Sequence, residues 1–294
     1  MTMDLALRRR FFAEEIAAVA NVKTPALIEA LQSVPRERFL RAGPWLVRSD
    51  GDFGVPRATP DGDPRHVYHN YSIAIDHARS LFNGPPGPVA SWIDALGLTR
   101  GAHVLHVGAG LGYYSALMAH VVGDSGRVVA IEIDPVLAAE AGVNLEPTPQ
   151  VEMRMDDGSG ALDQPFDAIL VSAGVTHPQR AWLEALKPGG RLVMTMTASM
   201  PAMGTLGKGF ASLFIKDRRD VFSARVLGMT IIYSALGLRD EALNRQLGQA
   251  MMGTPFPRFT VLRIDEHPAS ASCWLHTEHF CLAIGEALAN PSRA

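Results

Sequence analysis

Cysteine is nearly absent from this chain. Cys273 and Cys281 are its two cysteines in 294 residues, too few for a disulfide framework and suited to a reducing compartment. Charged residues make up only 19% and the formal net charge is -3. No positive field gathers a polyanion, so nucleic acid is not expected as a substrate. No apolar run approaches the roughly 20 residues that a membrane-spanning helix requires. Three arginines near the start are followed by Glu14 and Glu15, where a secretory leader would have its apolar core. We expect a cytoplasmic protein with no membrane partner.

What the chain does have is a glycine-rich turn between two apolar runs. Val104-Leu-His-Val-Gly-Ala-Gly-Leu-Gly-Tyr113 places Gly108, Gly110 and Gly112 at alternate positions, and a helix-length interval leads to Val128-Val-Ala-Ile-Glu-Ile-Asp134. A chain that leaves a strand and enters a helix often needs φ > 0, and glycine also leaves room for a ligand against the backbone. Glu132 ends the second run, where a carboxylate can accept from both hydroxyls of a ribose. The dinucleotide fingerprint requires a glycine where this chain has Tyr113, so a nicotinamide oxidoreductase is disfavoured. The spacing resembles motif I of the class I S-adenosylmethionine methyltransferases.

Other segments narrow that resemblance. Ala30-Leu-Gln-Ser-Val-Pro-Arg-Glu-Arg-Phe-Leu40 is similar to the N-terminal signature of the protein-L-isoaspartate O-methyltransferases, and Leu186-Lys-Pro-Gly-Gly-Arg-Leu192 is a turn common throughout the methyltransferase class. The resemblance implies a Rossmann-like, doubly wound α/β sheet that binds S-adenosyl-L-methionine. It puts Asp157 at the adenine amino group with Gly158 packed against the ring. It also puts His106 where most of the class carries an acid that holds the amino-acid end of the cofactor. The alternative for His106 is an inward strand residue satisfied by a neighbouring backbone group.

On the acceptor side, the family's Gln-Thr-Ile-Ser stretch corresponds poorly to Arg79-Ser-Leu-Phe-Asn83. Ser80 can take the threonine position near the substrate carboxylate, and Asn70 stands where the family has aspartate. His69, His77 and His177 are candidate bases; we place His77 with Ser80 as the catalytic pair. The resemblance implies an O-methyltransferase acting on a carboxylate of a peptide or protein, with a specialised substrate suggested by the divergence before Pro86. A small-molecule acceptor and a non-catalytic cofactor-binding module are the alternatives.

Three regions are expected: residues 1–97 as a helical cap with substrate loops, 98–197 as the cofactor-binding core, and 198–294 as an α+β extension. The cap should hold helices over 5–20 and 26–32 and a loop over 41–66, rich in Gly, Pro, Asp and Arg. The extension should hold a hairpin of 210–215 with 221–232, a helix over 238–252, and strands over 258–264 and 273–281. It could extend the sheet, cover the site or make a homodimer contact. Cys273, His276, His279 and Cys281 suggest a metal set, but strict alternation on one strand turns His276 away from the other three. No metal is therefore expected.

Overall fold

The structure, a computed structural model, describes residues 4–49, 55–218, 220–254 and 256–285. Backbone contacts gather the chain into two compact units, Met1–Gly158 and Ser159–Ala294.

The first unit opens with α1 (Leu5–Ala20), capped by the Asp4 carboxylate and closed by Asn21 in the left-handed conformation. Its expected apolar face is only partly used: Phe12 and Ile16 are buried, whereas Leu7, Phe11 and Val19 stay exposed. The helix α2 (Pro25–Ser33) covers the expected 26–32 and starts at a Thr24-Pro25 step, but the Thr24 hydroxyl makes no cap bond. Asp94 instead accepts from the Lys23 and Thr24 N–H groups at 3.0 and 2.8 Å.

Arg36–Phe39 form one 3-10 turn, and Arg36 is fully buried. A buried charge is tolerated only where its donors are met. Here the two Nη atoms donate to the carbonyls of Val67, His69 and Tyr71 at 2.7, 2.9 and 3.0 Å, while Nε is buried without a partner among the described residues. The Val-Pro-Arg signature is thus a clamp on the segment that leads into the acceptor side.

The expected loop over 41–66 is corrected in part. β1 (Leu46–Arg48), β2 (Arg57–Ala58), β3 (Ser72–Asp76) and β4 (Leu81–Asn83) form an antiparallel sheet in the order β2-β1-β3-β4; residues 50–54 of that loop lie outside the described residues. Val47 pairs with Ile73 and both are buried. Val47 and Ile73 are twenty-six residues apart, a pairing that local composition cannot register. α3 (Pro86–Ala95) follows, its Gly87 N–H donating to Asn70 Oδ1 at 2.8 Å.

An alternating α/β run completes this unit: β5 (His103–Val107), α4 (Tyr113–Val122), β6 (Arg127–Glu132), α5 (Pro135–Leu145) and β7 (Val151–Met155). β5 pairs parallel to β6, and β6 to β7. Val104, Leu105, Val128, Val129 and Ala130 have no exposed surface, the mark of strands covered on both faces. Asp134 caps α5, accepting from the Val136 and Leu137 N–H groups at 2.9 and 3.1 Å.

The second unit holds β8 (Phe166–Val175), α6 (Arg180–Ala185), β9 (Leu186–Ser199), β10 (Leu206–Lys216), β11 (Val221–Tyr233), α7 (Glu241–Gly253), β12 (Val261–Arg263), β13 (Cys273–His276) and β14 (Cys281–Ala283). Their order is β13-β14-β12-β11-β10-β9-β8, parallel between β8 and β9 and antiparallel elsewhere. The hairpin of β10 and β11 is where the sequence places it.

The single strand expected over 273–281 is instead two strands joined at Thr277, whose hydroxyl oxygen accepts from the His279 and Phe280 N–H groups at 3.1 and 3.0 Å. The β13 register slips between Cys273 and Leu275, so Trp274 is an extra residue opposite β14. Such a bulge breaks alternation. Cys273 and His276 consequently share a side, with Cys273 Sγ 3.9 Å from His276 Nδ1 and 3.2 Å from Cys281 Sγ. The expectation that His276 points away from the cysteines is overturned.

Candidate cofactor and acceptor site

The glycine turn is built by backbone conformation. Gly108, Gly110 and Gly112 have φ of 81°, 57° and 95°, a region that L side chains enter only with strain. The Gly108 and Ala109 N–H groups both donate to the Ile131 carbonyl at 2.9 Å, which ties the turn to the end of β6. A Cβ on Gly112 would lie 2.8 Å from Leu145 of α5, so this glycine serves packing. A Cβ on Gly110 would meet nothing nearer than Ile75 at 3.6 Å. Gly110 thus leaves one side of the turn open.

Glu132 faces that turn. It is 8% exposed, with Oε2 accepting from the Gly110 N–H at 2.8 Å and Oε1 from the Asp134 N–H at 3.1 Å. Burial pushes its pKa up, while the same two amides oppose the shift. A carboxylate has about four acceptor positions, so each oxygen can accept once more. That capacity suits a pair of ribose hydroxyls.

At the end of β7, Gly158 has φ of 76°, and its N–H donates to Asp156 Oδ1 at 2.7 Å. A Cβ there would stand 3.0 Å from Val107 at the end of β5. Asp157 is half-buried in the same turn. Glycine turn, Glu132 and Asp157-Gly158 therefore stand at the carboxyl ends of three adjacent parallel strands, where open α/β sheets bind ligands. These features fit a nucleoside without phosphates. Tyr113, in the dinucleotide glycine's place, is a core side chain packed on Phe39 with ring centroids 5.7 Å apart.

His106 lies one step deeper. It has no exposed surface, and burial pulls its pKa down to about 3, so the ring is neutral. Nδ1 lies 2.7 Å from the Ser115 hydroxyl of α4. Nδ1 is thus met by a side chain of the neighbouring helix.

The acceptor side is a hairpin tip. His77 to Ser80 turn the chain between β3 and β4, the Ser80 N–H donating to the His77 carbonyl at 3.0 Å. Ser80 has φ of 55°, a strained value for a residue with a side chain. His77 is exposed and Ser80 half-buried. Ile75 packs with Leu111 of the glycine turn and Leu137 of α5, with Leu81 against them. Arg79 bonds Asp76 at 2.7 Å and Asp134 at 2.5 Å. Asp134 therefore caps α5 with one oxygen and holds the hairpin with the other.

Sequence reasoning missed this role of Arg79, because no local pattern announces a partner fifty-five residues away. It does bring His77 and Ser80 to one tip. His69 is elsewhere, stacked on Tyr71, its pKa lowered chiefly by burial. His177, in the second unit, is also lowered by burial and lies 2.9 Å from the Thr176 hydroxyl and 3.2 Å from the Gln179 amide nitrogen.

The model of the protein-L-isoaspartate(D-aspartate) O-methyltransferase family matches residues 54–221. The protein-L-isoaspartate O-methyltransferase of Aeropyrum pernix is 31% identical over 213 residues, 71% of this chain and 74% of that protein. Protein-L-isoaspartate O-methyltransferase 1 of Rhodopseudomonas palustris is 33% identical over 205 residues, 68% of this chain and 74% of its own. A solved protein-L-isoaspartate O-methyltransferase superposes with a TM-score of 0.61 at 23% identity, over 84% of this chain and 71% of that one. A Plasmodium falciparum structure of the same description, in complex with S-adenosyl-L-homocysteine, gives 0.58 at 14% identity over 78% and 98%.

Proposed function

The chain belongs to the protein-L-isoaspartate(D-aspartate) O-methyltransferase family, and on that premise we propose how its residues divide the work. It has the Rossmann-like α/β methyltransferase fold and is an S-adenosyl-L-methionine-dependent O-methyltransferase. We assign the cofactor to residues 98–197 and the acceptor to the hairpin within 1–97, with 198–294 as an α+β extension. Gly108, Gly110 and Gly112 line the nucleoside and methionine side. Glu132 accepts from the ribose, and Asp157 with Gly158 bounds the adenine. His106 supports the turn from below through Ser115.

The acceptor in this reading is a carboxylate of the isoaspartyl type on a protein or peptide. The bound cofactor supplies an electrophilic methyl group on a sulfonium. A carboxylate is already ionised at neutral pH, so none of His69, His77 or His177 has to remove a proton. The chain has to align the attacking oxygen and exclude water. In this reading Ser80, half-buried at the tip, donates to the acceptor carboxylate and His77 flanks it. Arg79 is committed to Asp76 and Asp134 and acts as the strut of the tip. The observation that carries the reading is the Glu132 carboxylate held open over the glycine turn beside that hairpin.

One feature favours a specialised peptide over general repair. Where the family has its hydroxyl-rich stretch, this chain has Phe82, with the Arg48 guanidinium 4.3 Å over its ring, which presents an aromatic and cationic surface next to the tip. We further propose a cytoplasmic setting; no described helix is long and apolar enough to cross a membrane. The test incubates the protein with labelled cofactor and matched isoaspartyl and aspartyl peptides. A base-labile methyl ester on the isoaspartyl peptide alone is expected, with slower turnover than on a peptide carrying an acidic partner for Arg48. Tight cofactor binding with no ester on any peptide carboxylate would overturn the acceptor assignment in favour of a small-molecule acceptor or a binding module.

A further inference from the structure

Four side chains near the end of the chain converge on one point. His267, Cys273, His276 and Cys281 each offer one donor atom, and the four atoms lie within 4.8 Å of one another. They come from the loop after β12, from both ends of β13 and from the start of β14. All lie beyond the residues that the family model matches, so nothing in the methyltransferase chemistry accounts for them.

The local geometry is that of a cradle. Cys273 Sγ is 3.2 Å from Cys281 Sγ and 3.9 Å from His276 Nδ1. Donors of a tetrahedral site with bonds of about 2.0–2.3 Å sit roughly 3.3–3.8 Å apart. Both thiols are free. The His267 and His276 rings stand 5.0 Å apart and nearly perpendicular, at 81°, so each can point a nitrogen at a shared centre without stacking.

His267 supplies an independent observation. Its Nδ1 lies 2.8 Å from the Asp265 carbonyl oxygen. A carbonyl can only accept, so Nδ1 carries the proton, and the neutral ring then offers a lone pair on Nε2. That Nε2 is buried and has no hydrogen-bond partner. Burying an unmet polar atom is costly, and a metal ion removes the cost. Asp265 is itself held by Arg263, with Nε to Oδ1 at 2.9 Å. Metal-ligating histidines are commonly oriented by this kind of outer contact.

We propose that His267, Cys273, His276 and Cys281 bind one zinc-class divalent cation in a closed structural site. Two thiolates and two imidazoles select a soft, tetrahedral ion, and four protein ligands leave no open position for catalysis. The strands involved are three or four residues long, short for a ladder that must hold by itself. A cation bridging β13, β14 and the loop after β12 would fasten them. Binding requires the thiols to lose their protons, so the site fills less well as pH falls.

The test uses the full chain, purified without chelator and analysed for metal by mass spectrometry. About one zinc per chain is expected. Chelated protein titrated with cobalt(II) should develop the intense visible bands of tetrahedral coordination together with a thiolate charge-transfer band. Cys281→Ser and His267→Ala should each lose stoichiometric metal, whereas His279→Ala should keep it. The cobalt spectrum of the unmutated chain decides the matter even if a variant misfolds. A metal-free chain whose cobalt spectrum stays octahedral overturns the site, as does a Cys273–Cys281 disulfide in freshly reduced protein exposed to air in the presence of zinc. Metal retained by His267→Ala and lost by His279→Ala would overturn the ligand set.

Discussion

The glycine turn of the first unit and the cysteine–histidine cradle of the second are built on opposite principles. In the turn, the chemistry-bearing groups are backbone amides and three glycines within five residues, each fixed by its own φ, with Glu132 joining from the neighbouring strand. In the cradle, the groups are side chains that meet only because β13 slips by one residue. The first construction is local and writes itself into the sequence as a motif. The second is non-local and leaves only a scatter of residue types.

The comparison breaks first at Gly110. Gly110→Val places a branched side chain at φ of 57° on the open side of the turn, and is expected to weaken cofactor binding by more than about 100-fold, roughly 2.8 kcal/mol. Since the nearest atom to a Cβ is 3.6 Å away, Gly110→Ala should fold and show a smaller loss. Isothermal titration with S-adenosyl-L-homocysteine measures both. Wild-type affinity in a folded Gly110→Val chain would mean that the turn is not the cofactor cradle.

Glu132→Gln comes next, with an expected loss of about 10- to 100-fold, the range of a charge-assisted hydrogen bond worth roughly 1.5–3 kcal/mol. The pH dependence has a definite sign. Burial raises the Glu132 pKa, so acidification neutralises it sooner than an exposed glutamate. Wild-type affinity should therefore fall as pH drops through that raised value, and the Gln variant should be flat there. Parallel pH profiles for the two chains would remove Glu132 from the site.

Arg79→Ala should have a small effect. Its side chain is 42% exposed, and solvent-screened pairs are worth about 0.2–1 kcal/mol. A few-fold rise in KM for the peptide with kcat little changed would identify it as a strut of the hairpin tip. A collapse of kcat instead would make it a group that touches the acceptor. The smallest effect is expected of His279→Ala, whose ring lies outside the cradle.

How legible the molecule is follows the same divide. α4 and the start of α5 are readable to the residue, because Gly112 and Gly123 bracket the first and Asp134-Pro135 opens the second. β1 is not readable, since its strand character comes from pairing with β2 and β3. Thr24 is legible as a helix boundary, yet its hydroxyl makes no cap bond; what holds this start is Asp94 of another helix, which accepts from the Lys23 and Thr24 N–H groups just ahead of it. Among candidate site residues, Gly108, Gly110, Gly112, Glu132 and Gly158 stand out by type and spacing. Arg79 and the cysteine–histidine set do not: a long cation on a polar turn has many partners available, and a period-two reading of β13 assigns the wrong faces.

The amino-acid sequence by itself determined the donor side: glycine where φ must be positive, acid at the end of the next strand, and the parallel α/β run that presents both. Those are properties of single residues and their immediate neighbours. The tertiary structure decided the rest, namely where the hairpin tip is tethered, that Arg36 clamps three carbonyls, that His106 faces Ser115, and that Trp274 bulges. Each depends on which distant segment packs alongside, and burial and register are set only when those segments meet.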